Sequence, residues 1–307
     1  KSETLYENTE PVSIGYVYHA YMSEHTADGL DALDLQNALL HAVIFGDSSD
    51  IQNEAVKSGL KEEAWNAEKN SLSFTMTDRS SFVWNKGILK IKRRNGVFHT
   101  KVTMRPGYEY YLRLRGLKIK KSEKNALWAN VTMGDLVREF VISDTSYDFH
   151  LDRENYLITL GSVTGEQTKD LKFRINGPAV YELQDIEIVE VSMADYHEKV
   201  QQLMQERMAE VKKEKNGISG TITNESDGIL CLAVPYKNGY RLWIDGREEK
   251  IETVNKMYIG CLLKKGEKHS ILLKYETPGL KMGVILTIIG ILFAISLVKI
   301  NKKSLRK

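Results

Sequence analysis

The chain has 307 residues, of which 42% are hydrophobic and 27% charged, and it contains only two cysteines. This length fits two or three domains, and the composition excludes a collagen, a coiled coil, a disordered tail and a small disulfide-stapled domain. The 43 basic residues exceed the 41 acidic ones by two, but five of them lie between Lys299 and Lys307. The other 38 basic residues and the 41 acidic ones give the rest of the chain a net charge of −3. Nucleic acid is therefore not an expected partner, because phosphate binding needs clustered positive charge.

Residues 1–70 show a mixed, partly helical pattern. Apolar residues at helical spacing predict a helix with Asp31 or Asp34 as its N-cap; they are Leu35, Ala38, Leu39, Ala42 and Val43. The segment Ile44–Ser48 then ends in Gly-Asp-Ser and looks like the nucleophile block of a family of serine hydrolases. The Gly-x-Asn-Asp and Asp-x-x-His blocks of that family do not occur, and an unassisted hydroxyl is a poor nucleophile. We therefore interpret this segment as a loop.

Residues 71–192 consist of short alternating runs that predict a β-sandwich domain. The runs include 88–92, 97–102, 109–115, 136–142, 155–160, 170–175 and 186–191. The pair Asn95-Gly96 separates the first two runs and predicts a two-residue hairpin, because both turn positions need positive φ. The spacing of the strands indicates a sandwich or a jelly roll.

Residues 193–216 follow as a predicted amphipathic connecting helix. Asp195 and Glu198 form a capping-box pair at its start. The apolar residues at helical spacing are Val200, Leu203, Met204, Met208 and Val211. Such a stripe is expected to pack on the adjacent sheet, and a groove for a cofactor or partner is the alternative.

Residues 217–278 predict a second, membrane-proximal β domain. Its strands cover 229–234, 240–244, 257–263 and 270–275, with turn pairs at Asp227-Gly228, Asn238-Gly239 and Asp245-Gly246. Cys231 and Cys261 lie in two of these strands, and they form either a disulfide or two buried thiols.

One hairpin of this region combines aromatic rings with a carboxylate, a combination that suits sugars. The candidate glycan-binding residues are Tyr236, Tyr240, Trp243 and Asp245. The alternative is that the rings are core or membrane-interface anchors and that Asp245 begins a type I′ turn. The scattered histidines and acids show no ligand or catalytic spacing, so the sequence predicts no metal, no cofactor and no catalytic residue.

Residues 279–299 predict a transmembrane helix, because Met282 to Val298 contains no charged residue. The predicted lipid-facing anchor residues are Leu280, Met282, Ile285, Ile289, Phe293 and Val298. A buried core helix is the alternative, but a helix of a soluble domain normally shows a polar face.

The tail 300–307 gives the predicted orientation. The basic flank after the helix consists of Lys299, Lys302, Lys303, Arg306 and Lys307. Positive charge favours the cytoplasmic side, so we expect a cytoplasmic C-terminus and an extracellular body at the cell membrane. Residues 1–40 contain no export signal and no membrane span, and the chain begins at Lys1. We therefore expect a C-terminal portion of a longer, multi-spanning protein, whose partners are the lipid bilayer and its own upstream helices.

The segment Pro235–Gly246 resembles the Pro-Tyr-x-x-Gly-Trp-x-x-x-Val-Asp-Gly signature of the YfhO family of bacterial membrane proteins. Tyr240 stands where that family usually has Trp. Further similar segments occupy 227–230, 254–260, 265–269 and 275–283, and the order of segments ending in one hydrophobic helix is also similar. A weaker likeness covers Asn37–Leu40.

The resemblance implies a multi-pass glycosyltransferase that uses a polyprenyl-phosphate sugar on the outer membrane face, associated with lipoteichoic or wall teichoic acid. The catalytic acid of such enzymes lies between early membrane helices, so none is carried over to this chain. We expect a mainly β chain with one or two exported sandwich or jelly-roll-like domains, a connecting helix and a final membrane helix. This chain would serve such an enzyme by positioning its acceptor polymer or by stabilising the enzyme. The alternative is a non-enzymatic, membrane-tethered binding or scaffold protein.

Overall fold

The computed structural model describes residues 12–46, 49–148 and 153–304, with the backbone alone at 78 and 298–304. Its elements in chain order are β1 (Gly15–Tyr18), β2 (Ala20–Ser23), α1 (Glu24–Asp28), α2 (Ala32–Ala38), β3 (Val43–Phe45), α3 (Asp50–Lys57), β4 (Lys61–Glu62), β5 (Lys69–Leu72), β6 (Thr77–Ser80), β7 (Phe82–Asn85), β8 (Ile88–Ile91), β9 (Asn95–Met104), β10 (Tyr108–Arg115), β11 (Lys118–Ser122), β12 (Ala126–Met133), β13 (Leu136–Ser143), β14 (Tyr156–Gly161), β15 (Gln167–Asn176), β16 (Ala179–Glu182), β17 (Asp185–Ser192), α4 (Tyr196–Gln205), β18 (Ala209–Glu214), β19 (Gly217–Asn224), β20 (Gly228–Pro235), β21 (Tyr240–Ile244), β22 (Arg247–Glu249), β23 (Glu252–Val254), β24 (Tyr258–Leu263), β25 (Gly266–Tyr275) and α5 (Leu280–Ser304). Strands make up 52% and helices 17%, so the predicted mainly β class with one apolar C-terminal helix is confirmed.

The chain forms two compact units, and neither is continuous in sequence. Unit 1 consists of Lys1–Leu30, Ala38–Trp65 and Lys199–Lys307. Unit 2 consists of Asp31–Asn37 and Asn66–Glu198. Early residues therefore share a unit with the last third of the chain, whereas the sequence pattern suggested consecutive segments.

Unit 1 is held together by a sheet that draws strands from both ends of the chain. The order of this seven-stranded sheet is β1-β20-β24-β23-β3-β2-β4. β1 pairs antiparallel with β20, so that Gly15 lies opposite Leu232. The Asn255 side chain accepts a hydrogen bond from the backbone N–H of Ile44 at 2.8 Å. These long-range pairings explain why the unit is discontinuous.

A second sheet of unit 1 has the order β18-β19-β25-β21-β22. Asp245 and Gly246 connect β21 to β22 and both have positive φ, 52° and 79°. The predicted type I′ hairpin is therefore present at this position. Buried side chains of the two sheets form one core, including Leu230 and Ile259 from the first and Leu242, Ile271 and Leu273 from the second.

The described residues of unit 2 form three antiparallel sheets around one large core, with a small separate cluster of Leu33, Tyr111 and Val189. Their orders are β14-β10-β17-β5, β11-β16-β8-β7 and β13-β12-β15-β9-β6. The middle of the core is aromatic: the ring centroids of Phe82, Phe98 and Phe173 lie 5.0–6.0 Å apart. The strands predicted between 88 and 191 are all present.

The predicted Asn95-Gly96 hairpin is wrong. Both residues lie inside β9, which pairs with β15 and β6 rather than with β8. A Cβ at Gly96 would lie 2.3 Å from the Cδ1 atom of Ile91. The glycine therefore lets Ile91 pack closely beneath the strand, and it is not part of a turn.

Two predicted helices extend too far in the sequence reading. The first of the two predicted helices corresponds to α2, which ends at Ala38, and Val43 belongs to β3. The connecting helix, α4, ends at Gln205, and residues 209–214 form β18. The cause is pairing with β1: the N–H of Val17 donates to the carbonyl of Glu206, and the N–H of Met208 donates to that of Gly15. These bonds take the backbone groups that a longer helix would need.

Asp31 is the N-cap of α2 and also the centre of an ion-pair cluster in unit 2. Its Oδ1 atom accepts the N–H groups of Leu33 and Asp34 at 3.0 Å each. Its Oδ2 atom accepts from Lys69 Nζ at 2.6 Å and from Arg113 Nη1 at 3.0 Å. Burial alone would raise the pKa of Asp31, but these donors lower it from 3.8 to about 2.

Replacing Asp31 by asparagine is expected to reduce the acid sensitivity of unit 2. The folded-state pKa lies below the unfolded one, so the carboxylate stabilises the fold above about pH 4 and loses this effect as the pH falls towards 2. Urea titrations at several pH values measure the free energy of unfolding. The Asp31→Asn variant should be less stable at neutral pH, and its free energy of unfolding should fall less steeply below pH 4. The same pH dependence in Asp31→Asn and wild type would contradict this, and the exposed Asp135→Asn serves as control.

Candidate functional site

Trp243 and Asp245 lie at one end of the second sheet of unit 1. The Trp243 ring is partly exposed, and the Arg241 guanidinium lies 5.2 Å from its centroid. The Asp245 carboxylate accepts the N–H of Ser270 at 2.8 Å and contacts His269 Nδ1 at 2.7 Å. The Ser270 N–H and the His269 ring hold the pKa of Asp245 below its usual range. Asp245 is thus an ionised carboxylate whose first role is to fix the β21–β22 turn.

The two tyrosines of the predicted set lie elsewhere. Tyr240 is on the face of β21 that it shares with the buried Leu242, and its ring centroid is 5.0 Å from that of Tyr275. Tyr236 follows β20 in the other sheet, is 41% exposed and donates its N–H to the carbonyl of Met257. Since side chains alternate along a strand, Tyr240 and Trp243 point to opposite faces. One sugar ring therefore cannot stack on both, and Trp243 is the better placed for a ligand.

The pair Tyr240→Ala and Trp243→Ala separates a packing role from a surface role. The Tyr240 variant is expected to lower the melting temperature of unit 1, because it removes a partly buried ring that packs on the core. The Trp243 variant is expected to lower it less, since its ring lies on the outer face. Differential scanning calorimetry of both variants measures this. Equal and large losses of stability would make Trp243 a core residue.

A cleft of about 580 Å³ lies within unit 1, and the sequence reading missed it. Its aromatic wall is the stacked pair His41–Trp65, with ring centroids 3.8 Å apart. The His19 ring and the Glu206 carboxylate form a hydrogen bond on its rim, and the N–H of Glu225 donates to Glu206 Oε1 at 2.8 Å. His19 and Glu206 are 187 positions apart, and the pairing of β1 with residues 206–208 after α4 brings them together. No local spacing could have indicated this site.

The two cysteines are free and buried. Leu230 lies opposite Cys261 in the register of β20 and β24, and Cys231 lies opposite Gly260. Adjacent residues of a strand face opposite sides, so the two thiols cannot form a disulfide in this sheet. Burial raises the pKa of Cys231 to about 12 and raises that of Cys261 as well.

The helix α5 has the length and composition to span a membrane. Its window Leu280–Leu297 has a mean hydropathy of 2.3, and none of it is buried in the protein. The predicted anchor residues Leu280, Met282, Ile285, Ile289 and Phe293 are 50–64% exposed. The side chains of Val298, Lys299, Lys302 and Lys303 lie outside the described part of the chain, as do Arg306 and Lys307.

No group of three His, Cys, Asp or Glu residues that could hold a metal ion occurs within residues 12–46, 49–148 and 153–304. Ser48 of the Gly-Asp-Ser segment lies outside these ranges.

These features define a β-rich protein with one candidate membrane anchor, and the family comparison agrees. The chain belongs to the YfhO family of bacterial membrane proteins, whose model matches residues 1–287. It is 24% identical over 303 residues to the uncharacterized protein YfhO of Bacillus subtilis. The matched region covers 97% of this chain and 32% of that protein. The chain thus spans about a third of the length of this relative.

Solved structures resemble the chain only distantly. A GH2 β-galacturonidase from Eisenbergiella tayi has a TM-score of 0.24 and 10% identity, covering 69% of this chain and 37% of that one. The arabinofuranosyltransferase AftD from Mycobacteria has a TM-score of 0.19 and 11% identity, and the match covers 66% of this chain and 21% of that one.

Proposed function

We propose that this chain is the outward-facing β module and a membrane anchor of a multi-pass membrane glycosyltransferase. The enzyme would take a sugar from a polyprenyl-phosphate carrier and add it to lipoteichoic acid, wall teichoic acid or a related surface polymer. The module would position the acceptor polymer or stabilise the enzyme, and we assign no catalytic residue to it. Family membership supports the membrane association, and the link between β25 and α5 is the structural observation that carries the proposal.

This link is short and tied down. Only Glu276–Gly279 separate the last strand from the helix, so Tyr275 lies within about 18 Å of Leu280. The N–H of Glu276 donates to the carbonyl of Gly239 at 2.9 Å, and its carboxylate pairs with Lys281 Nζ at 2.8 Å. If α5 crosses the bilayer, the β21–β25 sheet must therefore lie at the membrane surface. Trp243 and Asp245 lie towards the end of β21 away from Tyr275, where they would meet a polymer that extends outward from the same membrane.

The orientation can be tested by cysteine labelling in intact cells. The native thiols are buried and have raised pKa values, so they should react little. A cysteine at the exposed Lys124 should react with a membrane-impermeant maleimide, and one at Lys303 should react only after lysis. The opposite pattern would overturn the orientation.

The transferase role needs the full-length protein. A strain in which the membrane helices remain but this chain is deleted should lose sugar from its surface polymer, measured by chemical release and mass spectrometry. An unchanged sugar content, together with altered polymer retention, would instead support the non-enzymatic binding or scaffold protein. Sugar transfer by the isolated chain would contradict the proposal that the catalytic residues lie elsewhere in the full-length protein.

A further inference from the structure

The outer face of one sheet in unit 2 carries a polar depression of about 540 Å³ around an exposed tryptophan. It lies on the sheet β13-β12-β15-β9-β6, on the side away from the buried core residues. The side chains that line it are Arg94, Asn95, Trp128, Asn130, Glu139, Arg174 and Asn176, together with Ala129.

Strand register brings these residues together from distant parts of the chain. Asn130 of β12 lies opposite Glu139 on one side and Arg174 on the other. Asn176 of β15 lies opposite Asn95 of β9. Neighbouring strands are about 4.8 Å apart, so amide, carboxylate and guanidinium groups form a row across about three strands. That width is comparable with one or two sugar rings.

Trp128 is exposed in a way that folding does not require. It is 56% exposed, although its neighbours Leu127 and Ala129 are buried and hold β12 against the core. A large ring on the solvent side of a regular strand adds little to the stability of the sheet. Its flat face can cover the C–H groups of a pyranose, while the adjacent amides bond to hydroxyl groups.

Arg174 indicates what charge the ligand carries. Its Nε atom is buried and has no hydrogen-bond partner within the described part of the chain. A ligand cannot reach Nε itself, but Arg174 as a whole is only partly buried, so the terminal nitrogens of its guanidinium can pair with an anion at the surface. The depression holds two arginines and one glutamate, so its charge also favours an anion. The cleft of unit 1 differs, because Glu63, Glu206 and Glu225 line it beside one lysine.

We infer that this Trp128 face binds an acidic glycan: a pyranose stacks on Trp128, and an anionic group attached to it pairs with Arg174. The anion is either a phosphodiester, as in a teichoic-type polymer, or the carboxylate of a uronic acid. The site itself stands on the geometry of unit 2, and only the choice of a teichoic-type polymer rests on the proposed function.

Binding is best measured by isothermal titration calorimetry with the purified full chain in nanodiscs. The probes are glycosylated lipoteichoic acid, an oligogalacturonate and a neutral malto-oligosaccharide. At least one acidic probe should bind, at least tenfold more tightly than the neutral one. The acidic probe that binds more tightly identifies the anion. No binding of either acidic probe, or equal binding of the neutral one, would overturn the inference.

Matched variants locate the site. Trp128→Ala and Arg174→Gln should each weaken binding of the acidic glycan at least tenfold, and Arg174→Gln should change neutral-sugar binding little. The controls are Val137→Ala and Arg138→Gln, two exposed positions of β13 outside the depression. Trp128→Phe, which keeps a ring, should retain most of the affinity if Trp128→Ala loses stability. Unchanged affinity in the Trp128 and Arg174 variants would contradict the site. If the full-length protein transfers sugar but no glycan binds at the Trp128 face, this inference fails and the proposed function stands.

Discussion

The double variant Ile289→Arg/Phe293→Arg is expected to leave the membrane fraction. Both residues lie near the middle of α5, one turn apart, and are 55% and 64% exposed. Each arginine at the centre of a membrane helix costs about 2.5–3.5 kcal/mol on insertion scales, so two cost about 5–7 kcal/mol. The measurement is the fraction of this chain, expressed without upstream membrane helices, that stays with membranes after carbonate washing.

The control for this experiment is Ile289→Leu/Phe293→Leu, which keeps the helix apolar and should stay in the pellet. Equal retention of the arginine and leucine variants would mean that α5 is not the anchor. The unfolded fraction should be checked by proteolysis, because release through misfolding would also expose cleavage sites in both units.

Phe173→Ala is expected to destabilise unit 2 by about 3–5 kcal/mol, which is a large part of the stability of a typical domain. The side chain is completely buried, and its ring centroid lies 5.4 Å from Phe98 and 6.0 Å from Phe82. Truncation leaves a cavity between strands that the surrounding rings cannot fill. Urea unfolding followed by far-UV circular dichroism gives the change in free energy.

Trp128→Ala provides the matched comparison, because β12 and β15 are paired neighbours in the same sheet. The loss of an exposed ring should change the free energy of unfolding by less than about 1 kcal/mol. A similar loss in both variants would show that Trp128 is a structural residue. A small loss in Phe173→Ala would show that the aromatic core is loosely packed.

Local patterns predicted most strands and the membrane helix, because alternation and a long apolar run depend only on neighbouring residues. They failed where distant segments compete for the same backbone. The apolar stripe to Val211 favours a longer α4, yet β1 binds the backbone at Glu206 and Met208 and ends the helix. The glycine of Asn95-Gly96 likewise serves packing against Ile91, a contact that local patterns do not reveal.

The candidate sites show the same division. Asp245-Gly246 was predictable as a turn, but the capture of Asp245 by His269 depends on the pairing of β21 with β25. Trp128, Asn130 and Arg174 are unremarkable in the sequence, since each is simply an outward position of its strand. Only the register of β12 against β15 places them side by side. Composition could suggest a sugar-binding protein, but it could not locate this face.

The chain passes between the two units four times, after residues 30, 37, 65 and 198. A single protease cut at any one of these crossings leaves the units covalently joined through the others. A cut after residue 198 would also leave β1, on the N-terminal piece, paired with β20, which lies on the piece that carries α5. In the proposed orientation, this threading should make the body difficult to shed from the cell, since release after such a cut also requires the separation of β1 from β20 and of β3 from β23.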